Sequence, residues 1–158
     1  MSYSYYQFPH GRVACIDDDC DFPLLNQALS EPNGLIAIGG DLSLPRLLNA
    51  YQHGIFPWFS EGEPILWWSP NPRMVLFPDA LNISNSLKKT LKNKPFDVRF
   101  NTAFRQVISA CSHTPRAGQP GTWITQDIIE AYCTLHNAGY AISAECWQDN
   151  TLVGGCYG

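Results

Sequence analysis

The sequence predicts a mixed α/β (α+β) protein in two parts, a small N-terminal domain over residues 1–71 and a second domain over residues 72–158. Three observations carry that prediction. Short apolar or alternating stretches bounded by Gly and Pro, such as LIAI at 35–38 and the segments at 96–100, 140–147 and 151–157, read as strands. Stretches in which apolar residues recur every three or four positions behind Ser, Asn or Thr read as helices. A loop punctuated by Pro64, Pro70 and Pro72 separates a Trp-rich region from longer regular elements, which places a boundary near Asn71.

In chain order, residues 1–20 are aromatic and then acidic and show neither period, so they are expected to lie against the first domain without defining it. Phe8-Pro9 and Phe22-Pro23 read as extended or turn dipeptides. The run at 35–38 ends at Gly39-Gly40-Asp41, a strand followed by a turn that needs a permissive backbone. Without a following Lys-Ser or Lys-Thr, the glycine pair reads as a turn and not as a phosphate cradle. Ser43 is placed to cap a helix with Pro45 in its first turn, Leu47, Leu48 and Tyr51 along one face, and Gly54 at its end. Trp58 then falls on a loop. Trp67 and Trp68 occupy opposite faces of a short strand, and one of them at least fills the core. Met74 to Phe77 reads as the start of another strand.

Ser84 caps a helix running to about Lys92, and 96–100 alternates with Phe96, Val98 and Phe100 on one side. Asn101 is expected to cap a helix with Phe104, Val107, Ile108 and Cys111 inward, followed by a Pro/Gly loop over 112–121 that carries an exposed His113. Thr125 caps a helix with Ile128, Tyr132 and Leu135 on one face and Gly139 as its stop. Asp149-Asn150 joins the last two strands as a hairpin.

The 158 residues are 45% hydrophobic and 15% charged, the balance of a folded globular protein. A net charge of -4 excludes nucleic-acid binding by bulk attraction, so any RNA contact needs a local basic patch. Lys88, Lys89, Lys92 and Lys94 form one. Two roles are open to them: favourable placement near a helix C-terminus, or contact with a phosphate backbone. No apolar run reaches membrane-spanning length. The six cysteines follow no apolar leader and form no C-x-x-C pair, so they read as reduced, mostly buried residues of a cytoplasmic protein. Cys15 and Cys20 around Asp17, Asp18 and Asp19 lack the histidines of a good metal site, and a solvated acidic loop is the better reading.

Residues 31–78 concentrate Trp58, Trp67 and Trp68 among proline-stiffened turns. Rings held on such turns lose little entropy on meeting a planar ligand, so the stretch reads as a stacking surface as well as a core. Within it, EPNGLIAIGGD at 31–41, YQHGIFPWFS at 51–60 and ILWWSPNPR at 65–73 closely resemble the leucyl/phenylalanyl-tRNA–protein transferases. FNTAF at 100–104, GTWIT at 121–125 and LVGGCYG at 152–158 are similar to the same family in the same order, so that the resemblance covers nearly the whole chain from Phe22 onward.

The resemblance implies an aminoacyltransferase that moves Leu, Phe or, less well, Met from aminoacyl-tRNA to acceptor proteins with N-terminal Arg or Lys, marking them for degradation by the N-end rule pathway. It implies a second domain like the N-acetyltransferase (GNAT) acyltransferases. In the family the sequence continues past Gly158, so this domain is expected to be incomplete, with an unfinished sheet whose open edge is sticky. Because the tRNA ester is already activated, no metal, cofactor or covalent enzyme intermediate is expected; the protein orients the reactants, removes a proton and stabilises the oxyanion.

Trp58 and Trp123 match the family's adenosine-contacting tryptophans, while Tyr51 and Tyr132 are open to both core packing and positioning of the ester or ribose. Cys156 matches an aminoacyl-pocket position often held by Met, where a smaller side chain widens the pocket and shifts the Leu/Phe preference. The resemblance also turns the lysine cluster toward tRNA. The family's acidic and glutamine residues for proton transfer and acceptor recognition have no counterpart before Gly158. Glu145, the one carboxylate on a predicted strand near the pocket, reads as a surface residue or a structural salt bridge. A non-catalytic RNA 3′-end-binding fragment and an acetyl-coenzyme A-dependent N-acetyltransferase stand as alternatives.

Overall fold

A computed structural model describes residues 3–17, 21–93, 96–115 and 122–158, in two units: residues 1–73 with 119–131, and residues 74–118 with 132–158. Residues 122–131, which the sequence boundary assigned to the second domain, group with the first unit. Lys94, Asp18, Asp19, Cys20 and Gly121 lie outside the described residues. Among the described residues no helix is long and apolar enough to cross a membrane.

The first unit is built on a five-stranded sheet of β1 (Ser4–Phe8), β2 (Gly11–Ile16), β3 (Leu35–Gly39), β4 (Phe56–Pro57) and β5 (Leu66–Trp68), in the order β1-β2-β3-β5-β4. Only β2 and β3 run parallel. Central β3 is buried on both faces at Leu35, Ile36 and Ala37, which is why its sequence is a continuous apolar run and not an alternation. Residues 4–8 and 11–16 of the N-terminal stretch are therefore a defining part of the sheet, contrary to the sequence expectation. Edge strand β1 is exposed along most of its length and so carries no in-out pattern, and β2 depends on a partner that the sequence supplies only 19 residues later, at Leu35.

Helix α1 (Leu44–Gln52) starts as expected, with the Ser43 hydroxyl accepting from Arg46 N and Pro45 in the first turn. Its buried residues are Arg46, Leu47 and Ala50, whereas Tyr51, expected on the inner face, is exposed. The Asp41 carboxylate accepts from Ser43 N at 2.6 Å and lies 3.7 Å from Arg46. Burial pushes its pKa up, but the Ser43 hydrogen bonds and Arg46 outweigh it and leave the carboxyl below its ordinary value. Trp67 is fully buried, with its indole N–H donating to Gly39 O at 2.9 Å, and Trp68 is half-buried: the two rings part across β5 as the strand period requires.

The second unit holds α2 (Asn85–Asn93), β6 (Asp97–Phe100), α3 (Phe104–His113), β7 (Ser143–Gln148), β8 (Thr151–Tyr157) and the second half of α4 (Gln126–Asn137). Its antiparallel sheet runs β6-β7-β8. Asp149 and Asn150 both take positive φ, 50° and 59°, which gives the tight hairpin the sequence predicts. The Thr125 hydroxyl accepts from Ile128 N at α4, and the Ser84 hydroxyl from Leu87 N at α2.

Three expectations fail here. Residues 74–77 form no strand, and Met74 is 98% exposed; β propensity makes a strand only where a neighbour completes the ladder. The side of β6 that carries Val98 and Phe100, which the sequence left unassigned, faces solvent, because α3 covers the opposite face of the sheet, where Arg99 is held over Trp147 at 4.8 Å. Asn101, at φ 59°, is not the α3 cap: its Oδ1 accepts from Ser143 N at 3.0 Å, and Ala103 occupies the cap position without a side-chain bond. Helix α3 also extends through His113, which the sequence placed in a loop.

Candidate functional site

Trp58 follows the two-residue strand β4 and is fixed by its backbone. Its N–H donates to Leu66 O at 2.9 Å, and its carbonyl accepts from the Trp68 indole at 2.7 Å. The ring itself stays 48% exposed, tilted 55° to Trp68 with centroids 5.9 Å apart. The backbone that carries this indole is held in one place and the ring still offers a face to a ligand, which suits stacking on a planar group. Tyr51 projects from the last turn of α1 of the same unit into solvent. Trp123, also in this unit, is partly buried two residues before the α4 cap Thr125 and directly after Thr122, whose hydroxyl accepts from Ile124 N at 3.1 Å.

In the second unit Tyr132 is only 5% exposed and stands edge-on to Tyr157 at 5.8 Å. Tyr157 in turn meets Phe104 at 5.9 Å, and Phe104 stacks on His136 at 4.3 Å. A Cβ on Gly155 would lie 3.0 Å from Val107 of α3, so Gly155 and Tyr157 face α3 while Cys156 between them faces away. Tyr132 therefore sits with the ring cluster on the α3 side of β8, and the exposed Cys156 thiol projects from the other side. Of the described cysteines only Cys133 is buried, and none is in a disulfide; the expectation of mostly buried cysteines does not hold, since Cys15, Cys111 and Cys146 are partly buried and the last hairpin leaves Cys156 open. Lys88, Lys89 and Lys92 are exposed on α2, which buries none of its residues.

Glu145 corrects the sequence reading most sharply. It is not at the surface and, among the described residues, not in a salt bridge: it is 1% exposed on β7 and surrounded by neutral donors. Oε1 accepts from Thr102 N at 3.0 Å, Ala103 N at 2.9 Å and Ser143 Oγ at 2.7 Å, while Oε2 accepts from the Thr102 hydroxyl and from the Trp147 indole at 3.3 Å. Burial alone would raise its pKa, but the donors from Thr102, Ser143, Ala103 and Trp147 outweigh it and pull the carboxyl down to about 2. The carboxylate thus caps α3 from a neighbouring strand, the place that sequence gave to Asn101. Its signal in the chain was the run Ser143, Glu145, Trp147 on one strand face, three hydrogen-bonding residues where a core would otherwise be apolar.

Comparison with known proteins bears on what this arrangement serves. The family model for the leucyl/phenylalanyl-tRNA protein transferase matches residues 75–158, and that for the N-terminal domain of the same transferase matches residues 40–71. Proteins named leucyl/phenylalanyl-tRNA–protein transferase are similar along most of the chain. That of Chromobacterium violaceum is 61% identical over 137 residues, covering 87% of this chain and 58% of its own length. The Nitrosomonas eutropha protein is 61% identical over 146 residues, covering 92% and 62%. That of Flavobacterium psychrophilum is 59% identical over 141 residues, 85% of this chain and 67% of its own. The chain spans about 60% of the length of the first two relatives. With both family models matching in order on either side of Arg73, the chain belongs to the leucyl/phenylalanyl-tRNA–protein transferase family.

Proposed function

We propose that the protein takes part in aminoacyl transfer from tRNA to a protein N-terminus. The relatives' name supports the substrates, and the observation within the fold that carries the reading is Trp58: a half-exposed residue whose backbone is pinned by hydrogen bonds at both its N–H and its carbonyl. A single-stranded tRNA end offers an unpaired adenine to such a ring, and stacking of this kind contributes about 1–3 kcal/mol per base. Trp123 is the proposed second stacking residue, and Tyr51 and Tyr132 are proposed to position the ribose and the ester.

In the reaction the acceptor's α-amino nitrogen attacks the ester carbonyl carbon. The tetrahedral intermediate collapses with loss of the ribose oxygen, and the proton shed by the amine ends on that oxygen, leaving a new peptide bond and free tRNA. The chain's part is orientation of the two reactants. Leu, Phe or Met is the proposed cargo, Arg or Lys the proposed acceptor residue, and N-end rule marking in the cytoplasm the proposed setting. Cys156 is the proposed aminoacyl-pocket residue, and Lys88, Lys89, Lys92 and Lys94 the proposed tRNA-backbone contacts. Residues 1–71 and 72–158 are the proposed domains. For the second, an N-acetyltransferase-like fold is supported by the element order strand, helix, helix, strand, turn, strand.

The test is transfer of labelled Phe from its tRNA onto a protein with N-terminal Arg, run with this chain and with a full-length relative. Label on the acceptor with the full-length relative is the expected result, and label with this chain as well would place the proton-transfer groups within its 158 residues. Binding of aminoacyl-adenosine without transfer would leave this chain an RNA-end binder, and binding of coenzyme A in place of aminoacyl-adenosine would overturn the reading.

A further inference from the structure

Two cysteines meet on the face of the β6-β7-β8 sheet that is turned away from α3. The strand register sets Ala144 opposite Cys156 and Cys146 opposite Gly154, so Cys146 and Cys156 point to the same side as diagonal neighbours. The other two corners of that square are small. A Cβ on Gly154 would lie 3.9 Å from the Cys146 Cβ, and Ala144 is a single methyl, so neither corner places a bulky group between the two thiols. Cys156 is exposed, Cys146 is partly buried, and neither is in a disulfide.

Spacing decides what such a pair can do. Diagonal neighbours across an antiparallel pair stand about 7–8 Å apart at Cα. A disulfide needs about 4.4–6.8 Å there and sulfurs about 2 Å apart, so these two cysteines do not close on each other unless the strands move. A metal ion held between two thiolates by bonds of about 2.3 Å spreads the sulfurs to about 4.6 Å, which suits the wider spacing. The pair is set for a bridging atom.

The surroundings choose the ion. Val98 pairs with Cys146 and Phe100 with Ala144, and with Ile142 two positions before Ala144 they make the rest of this face apolar and open to solvent. Among the described residues no group of three or more His, Cys, Asp or Glu side chains could hold a metal ion. Zinc needs a tetrahedral ligand set and calcium or magnesium a shell of oxygens, so two thiolates on an apolar face suit neither. Cu(I), soft and with a filled shell, is satisfied by two thiolates in line. We infer that Cys146 and Cys156 form a two-coordinate site for Cu(I). As the metal binds, each thiol releases its proton to solvent and two Cu–S bonds form with no change of oxidation state, so no electron donor or acceptor is required. The site enters no step of the proposed transfer, and it stands whether or not Cys156 lines an aminoacyl pocket.

The experiment titrates the 158-residue chain with Cu(I), supplied without oxygen as its acetonitrile complex, in competition with the coloured chelator bicinchoninate. One Cu(I) held per chain is expected, with a copper X-ray absorption spectrum that shows two sulfur neighbours and no displacement by Zn²⁺. Cys146→Ser and Cys156→Ser should each weaken binding by roughly a hundredfold or more, since each removes one of only two ligands, while Cys15→Ser and Cys111→Ser leave it unchanged. Gly154→Val keeps both thiols but fills the corner beside them, and about a tenfold weakening with unaltered circular dichroism is expected. Copper that stays tightly bound in either ligand variant or is unaffected by Gly154→Val, one copper per two chains, three or more sulfur neighbours, or ready displacement by Zn²⁺ would overturn the assignment. No tRNA enters the assay, so its outcome is independent of the transfer reading.

Discussion

At the scale of single residues, two side chains show how similar sequence signals lead to different roles. Trp58 and Trp67 both sit among prolines and aromatics, yet one ring is half in solvent and the other completely buried. Trp58→Ala is expected to weaken binding of aminoacyl-adenosine by about 1–3 kcal/mol, measured calorimetrically, with little change in the urea midpoint. Glu145 is the opposite case, since five donors depend on it. Glu145→Ala is expected to cost about 3–5 kcal/mol in urea unfolding, because the donors at the α3 N-terminus are left buried without a partner; Glu145→Gln falls between, as its amide faces donors with a donor. Its carboxyl titrates near 2 in the folded protein against an ordinary 4.5. A depressed folded value means stabilisation present above about pH 4.5 and lost as pH falls toward 2. The urea midpoint should therefore drop across that window, and the drop should shrink in Glu145→Ala.

At the scale of elements, turns and caps were readable and strand partners were not. Ser43, Ser84 and Thr125 act on their own next turn, so three residues of sequence suffice to foresee them. The α3 N-terminus is capped from residue 145, more than forty positions away, and nothing local announces it. Strand β2 and the segment 74–77 make the same point in opposite directions: the first gained a partner that its sequence did not foretell, the second had the right residues and gained none. Gly34 tests a close approach between elements. It sits at φ 92°, and a Cβ there would come within 2.4 Å of Pro70 backbone atoms. Gly34→Ala is expected to destabilise the first unit by about 2–3 kcal/mol, read as a lowered urea midpoint with quenched burial of Trp67 in fluorescence.

At the scale of the whole molecule, a net charge of -4 coexists with three exposed lysines on one short helix. If these contact tRNA phosphates, the triple change Lys88→Glu, Lys89→Glu and Lys92→Glu should weaken tRNA binding and reduce the slope of log K against log salt by about 2–3, roughly one unit per lost contact. An unchanged slope in filter binding would return these lysines to a helix-stabilising role. Sequence alone determined the family, the mixed α/β class, the starts of α1, α2 and α4, the Asp149-Asn150 hairpin and the identity of the aromatic candidates, because each rests on residue types or on spacings of a few positions. Tertiary structure alone decided which tryptophan is free, that Tyr132 and Cys156 lie on opposite sides of β8, and that Glu145 is a buried cap. Those outcomes depend on which surfaces meet across long stretches of chain, and a local pattern of side chains carries no record of the partner it will find.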